Sequence, residues 1–172
     1  MAELLVNRVA QSGITTINLE EYFPTDPIVT FDLKNFLFME AILKEKDFRT
    51  DLKNLDWSQY RGKIVLVTCS ADAIIPMWAY MLVGAYLNDV ATTTYCGTEV
   101  EYLSHYYDEV LSKLNLSSYE GKMVVIKGCG EKSVPPLAYM KLTTLLKPVA
   151  KSIMYGEPCS TVPIYKQPRK NP

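Results

Sequence analysis

Two short runs, residues 63–68 and 122–127, are almost wholly apolar, carrying IVLV and MVVI. Runs of this kind fit strands covered on both faces, as in a parallel sheet. Behind each run lies a loop and then a proline, Pro76 or Pro135, followed by apolar residues at helical spacing. Trp78, Met81, Leu82 and Leu87 mark the first helix, and Leu137, Met140, Leu142 and Leu145 the second. Proline is tolerated in a first helical turn, where its missing amide has no helical partner to lose. Residues 91–95 and 151–155 then read as second strands, ended by Gly97 and Gly156.

These segments are one stretch written twice. Residues 60–97 and 119–156 align at a constant offset of 59 without a gap, and 12 of the 38 positions are identical. Leu55 and Ser58 also match Leu114 and Ser117, so the repeat spans 55–97 and 114–156, behind an N-terminal extension of 1–54. A strand-helix-strand unit of this length makes a right-handed parallel crossover rather than a hairpin. The expectation is a three-layer α/β domain covering 1–172, with one mainly parallel sheet built from two tandem strand-helix-strand repeats in the approximate order 2-1-3-4. In the extension, 3–10 reads as a short helix or extended segment, Ile28–Asp32 as a strand, and 33–43 as an amphipathic helix or a continuation of that strand. The proline-rich tail, 158–172, reads as extended.

A chain of 172 residues can bury a core without a disulfide scaffold. The formal net charge of -1 gives no support to a nucleic-acid or anionic-membrane partner. No apolar run reaches the length of a membrane span, and the amino terminus lacks the pattern of a secretory signal, so a cytoplasmic address is expected. Cys69, Cys96, Cys129 and Cys159 are too widely spaced for a small secreted framework and read as thiols or metal ligands.

In a single sheet of that order, Cys69 and Cys129 fall just beyond the carboxyl ends of the two central strands, where a reversal of strand order opens a crevice. The loops TCSAD and GCGE each offer a thiol and a carboxylate. The inventory fits tetrahedral zinc held by Cys69, Cys129 and Cys159, with Asp72, Glu131 or His105 as the fourth ligand. Plain core cysteines are the bland alternative, because cysteine is among the most buried residue types. A third reading makes Cys69 a nucleophile activated by the helix that follows it. A fourth is a non-enzymatic scaffold or small-ligand binding protein, with a homodimer compatible. Enzymatic activity stays open. The loop GCGEKS is too short for a nucleotide-binding P-loop, its helix opens with two prolines, and Asp72 and Glu131 would repel a phosphate. Ser70 lacks the GxSxG elbow of a serine hydrolase. Tyr80 and Tyr139 occupy equivalent helical positions, with hydroxyls expected near the crevice, and Tyr102, Tyr106 and Tyr107 form a half-helical cluster that fits packing or a cover over the site.

The stretches DWSQYRGK, TCSADAIIPMWAYM, VIKGCG and SIMYGEPCSTVPIYK, with the opening VNRV and the EKDFR segment, resemble a bacterial domain family of uncharacterised proteins found mostly in Bacteroidetes. The resemblance covers essentially the whole chain. It implies a bacterial cytoplasmic protein and carries no activity, cofactor or catalytic residue to transfer.

Overall fold

Two five-residue strands, β1 (Ile14–Asn18) and β2 (Ile28–Asp32), are each ended by an Asx side chain that caps a 3₁₀ turn. Asn18 Oδ1 accepts the Glu20 amide at 3.2 Å and starts Leu19–Tyr22. Asp32 Oδ1 accepts the Lys34 amide at 2.9 Å and starts Leu33–Phe36. Short polar side chains at such positions compete with the strand ladder and turn the backbone locally. Each cap plunges a leucine into a core, and Leu19 and Leu33 are both fully buried. The computed structural model describes residues 13–128, 130–157 and 160–168.

The two strands then join different sheets. The chain divides into two compact units: unit 1 takes the chain up to Phe23 and from Leu103 onward, and unit 2 is Pro24–Tyr102.

Unit 2 is wound in one direction. Helix α1 (Glu45–Asn54) links β2 to β3 (Ile64–Thr68), and α2 (Met77–Leu87) links β3 to β4 (Thr93–Cys96). The sheet runs β2-β3-β4, all parallel, with Ile28 opposite Ile64 and Ile64 opposite Thr93. Crossovers of one hand that step the same way along a sheet place their helices on the same face. The core agrees, because Phe48 and Leu52 of α1, Val83 and Leu87 of α2, and Val65 and Val67 of β3 share one cluster. Aromatic rings fill its flank: Phe31 stacks on Phe36 at 5.3 Å and on Trp57 at 5.7 Å, and Trp57 stacks on Tyr86 at 4.8 Å.

Unit 1 repeats this plan with one strand added. Helix α3 (Glu99–Ser112), part of the unit from Leu103 on, leads to β5 (Met123–Lys127), and α4 (Pro136–Leu146) links β5 to β6 (Ser152–Glu157). A hairpin return forms β7 (Ser160–Lys166), antiparallel to β6 with a bulge at Ile153/Met154. The order is β1-β5-β6-β7, with Ile14 opposite Met123 and Met123 opposite Ser152. Tyr107 and Leu111 of α3, Leu142 and Leu146 of α4, Val124 of β5 and Ile17 of β1 share its core. The Tyr107 hydroxyl donates to the Leu19 carbonyl at 2.8 Å, tying α3 to the turn after β1.

This architecture corrects the expectation of one sheet with tandem repeats in the order 2-1-3-4. The stretches do carry matching elements at the offset of 59, α2 against α4 and β3 against β5 among them. However, β3 and β5 are the middle strands of separate sheets, each completed by a strand from the segment read as an extension. Residues 33–43 form no helix beyond the 3₁₀ turn, because Met39 (φ 52°) and Glu40 (φ 56°) take the left-handed conformation that ends one. Within the tail read as extended, Ser160–Lys166 form strand β7. The segment 3–10 lies outside the described residues. Among the described residues, no helix is long and apolar enough to cross a membrane.

Leu19→Ala should destabilise unit 1 by about 3 kcal/mol through transfer and cavity terms, read as faster hydrogen exchange of the β5 amides. Both tryptophans, Trp57 and Trp78, belong to unit 2, so Trp emission should follow Leu33→Ala. Burial, with Tyr106 and Glu20 nearby, pushes the Tyr107 hydroxyl from 10.0 up to about 12. The unfolded chain therefore loses this proton first as pH rises, so unit 1 loses stability between those two values. Tyr107→Phe should flatten that decline while costing about 1 kcal/mol at neutral pH.

Candidate functional site

In both units the loop after the middle strand is closed by a carboxylate from the turn after the first strand. In unit 2 the donor of that carboxylate is Asp32. Its Oδ1 accepts the Ser70 amide at 3.0 Å and its Oδ2 accepts the Ser70 hydroxyl at 2.5 Å, in addition to the Lys34 amide. Burial by itself would raise the Asp32 carboxyl, but the Ser70 hydroxyl, the Ser70 and Lys34 amides and the Lys34 charge outweigh it and hold the group below its ordinary value. Cys69 is partly buried against the unit 2 core, and its Sγ donates to the Ala71 carbonyl at 3.6 Å. Cys96 ends β4 opposite Val67 and is exposed. Burial, with the thiols of Cys96 and Cys69 nearby, raises the Tyr80 hydroxyl.

In unit 1 the strand-end residue is Asn18, which carries no charge, and the carboxylate comes from Glu20. Its Oε1 accepts the Gly130 amide. The approach is so close that a Cβ on Gly130 would lie 2.7 Å from Oε1. Gly128 takes φ +155°, and a Cβ there would meet Tyr139 Oη at 2.9 Å and Leu19 Cβ at 3.0 Å. Glycine permits both the backbone angle and the contact. The Tyr139 hydroxyl donates to the Gly128 carbonyl at 2.6 Å, and the Tyr139 ring meets Tyr155 edge-on at 5.8 Å. Across the strand ends, Lys127 Nζ lies 3.4 Å from both carboxylate oxygens of Glu157.

Two adjoining cavities lie here. The larger, about 850 Å³, runs between α4 and the outer strands, lined by Ile126, Val134, Tyr139, Met140, Thr143, Met154, Tyr155 and Ile164, with Lys132 and Ser133 at its loop end. The smaller, about 360 Å³, is lined by the polar side chains of Asn18, Glu20, Lys127 and Glu157. Gly128, Gly130 and Tyr155 line both. The larger cavity follows from the topology. Strand β7 extends the sheet without a crossover helix of its own, so the α4 flank facing β6 and β7 stays open. Met140 (71% exposed) and Ile164 (51% exposed) stand there as uncovered apolar side chains.

The expected zinc centre is not found. Among the described residues, no group of three or more His, Cys, Asp or Glu side chains is placed to hold a metal ion. The shared crevice between Cys69 and Cys129 required β3 and β5 to be neighbours with opposed crossovers. They are instead middle strands of separate sheets, each wound one way, so the strand order never reverses between them. Asp72 and Glu131 are exposed in the loops after β3 and β5, in different units. Cys129 and Cys159 lie outside the described residues. Residues 70–76 lie between Cys69 and the start of α2 at Met77. His105 sits on α3 one turn before Glu109. Tyr107 and Tyr102 are buried, and Tyr106 packs on Tyr107 edge-on at 6.0 Å, as packing residues do. The Tyr139 hydroxyl reaches loop backbone at the strand end. Glu20 is the residue that spacing alone missed.

The fold and cavity define an α/β protein of two singly wound parallel units, one of them with a strand-end pocket. The chain belongs to the family described as protein of unknown function (DUF2480), which it matches over residues 3–167. No curated protein and no solved structure matches the chain.

Asp32→Ala should cost unit 2 about 1–2 kcal/mol at neutral pH through the lost cap and loop bonds. Because the Asp32 carboxyl is depressed in the fold, its stabilisation is present above the ordinary value of 3.8 and lost as pH falls through the folded value. Urea unfolding followed by Trp emission should therefore show a shallower acid decline in Asp32→Ala than in the native chain.

Proposed function

We propose that this chain is a small-molecule binding protein whose ligand places an apolar body in the unit 1 cavity between α4 and strands β6 and β7. The carrying observation is the cavity of about 850 Å³ at the carboxyl end of a mainly parallel sheet, walled largely by apolar and aromatic side chains, with Lys132 and Ser133 at its loop end and Thr143 and Thr144 on α4. Ligand pockets typically span about 300–1,000 Å³ and have this division of lining. Open parallel sheets favour ligands at their carboxyl edge. A phosphate is disfavoured there, because the Gly130 amide already donates to Glu20 and α4 opens on Pro135 and Pro136, with no amide at Pro136 to offer. The formal charge of -1 likewise supplies no basic field for nucleic acid.

N-phenyl-1-naphthylamine, a neutral dye that brightens in apolar surroundings, should bind saturably at one site per chain. Thr143→Trp, which fills the cavity from α4, should weaken that binding at least about tenfold, an effect of about 1.4 kcal/mol, while leaving thermal unfolding in place. Unsaturable binding, or equal binding by the filled variant, would sink the proposal.

A further inference from the structure

We infer that the ligand carries a basic group, a protonated amine, seated between Glu20 and Glu157 while its apolar body fills the larger cavity; this rests on the cavity reading above. The two cavities share Gly128, Gly130 and Tyr155 in their walls, so the smaller one adjoins the larger. A molecule spanning both must be amphipathic, and the charges of the small chamber decide which head it accepts.

Among the described residues, Glu20, Glu157 and Lys127 are the charged side chains lining the small chamber, two acids against one base. Lys127 faces both oxygens of Glu157 at 3.4 Å, an exposed pair of long geometry. Pairs of this kind contribute little and are readily exchanged for another cation. Among the described residues, no ion pair involves Glu20. A further base, Lys132, lines the larger cavity, with its ammonium 5.3 Å from the Phe23 ring centre. An anionic head would meet Glu20 where an anion-binding loop keeps its amide, because Gly130 already donates there. An ammonium would instead meet two carboxylates and the ring of Tyr155, which attracts cations through its face.

Three probes of equal chain length, n-octylamine, n-octanol and sodium octanoate, separate head from body when each displaces N-phenyl-1-naphthylamine at neutral pH. Octylamine should displace the dye at a concentration at least about tenfold below octanoate, with octanol between them. Glu20→Gln keeps the acceptor for Gly130, and Glu157→Gln changes an exposed side chain. Each should reduce the amine preference about threefold and leave octanol unchanged, and raising salt from about 0.05 M to about 0.5 M should narrow it further. Equal or tighter binding of octanoate, or an amine preference surviving in the double variant, overturns the amine head while octanol binding upholds the cavity. Failure of the dye and octanol to bind the native chain overturns the cavity reading itself.

Discussion

The pairing of β1 with β5 is the constraint on which unit 1 depends. Ile14 meets Met123 and Asn18 meets Lys127, so the sheet closes only after the chain has left, built unit 2 and come back. Such non-local pairing is entropically expensive and rewards the chain late. What holds the returning strand is side-chain work at one point: Leu19 enters the core behind the Asn18 cap, and Tyr107 donates to the Leu19 carbonyl. The same turn presents Glu20 to the Gly130 amide. One 3₁₀ turn therefore anchors the sheet and shapes the polar end of the cavity, so the site cannot form without the long-range pairing.

The parts of the fold legible in the sequence are those written locally. Strands β3 and β5 follow from their apolar runs, α2 and α4 from helical spacing behind proline, and β2 from alternation. Strand order was not legible, because nothing within 63–68 or 122–127 says which strand lies alongside. A signal did exist upstream. ITTINLEEYF and IVTFDLKNFL match at an offset of 14, with Ile14 over Ile28, Thr16 over Thr30 and Leu19 over Leu33, and an Asx residue at 18 and 32. Two copies of a strand-and-cap segment call for two sheets to receive them. Strand β7 was hidden by Pro163, which argues against a central strand but is admissible at an edge.

The expected crevice shared by the two loops does not exist, because each loop belongs to its own sheet. GCGEKS lies at the carboxyl end of a middle strand, and Tyr139 reaches the loop as its helical position implied. The error came from reading two loops as one crevice, which made cysteines and acids on both seem convergent. Once each loop is assigned to its own sheet, the relevant carboxylate is the one delivered by the first strand of that sheet. That is Asp32 in unit 2 and Glu20 in unit 1, and neither lies in the loop that was under suspicion.

The two units close their loops by the same device but with different residues, and the difference sets their strand ends apart. At the offset of 59, Gly128 and Gly130 stand where unit 2 has Cys69 and Ala71. Without a Cβ at 130, the longer Glu20 side chain can press against backbone, whereas in unit 2 the shorter Asp32 binds Ser70 through amide and hydroxyl together. The outer edge diverges as well. Strand β4 stops at Cys96 and gives way to α3, while β6 continues through Gly156 and Glu157 to β7. Met154, Tyr155 and Ile164, which form the outer wall of the larger cavity, all belong to that β6–β7 hairpin. Two loop glycines and one added strand thus shape the cavities at the unit 1 strand ends, and this is why the proposed ligand site is placed in unit 1.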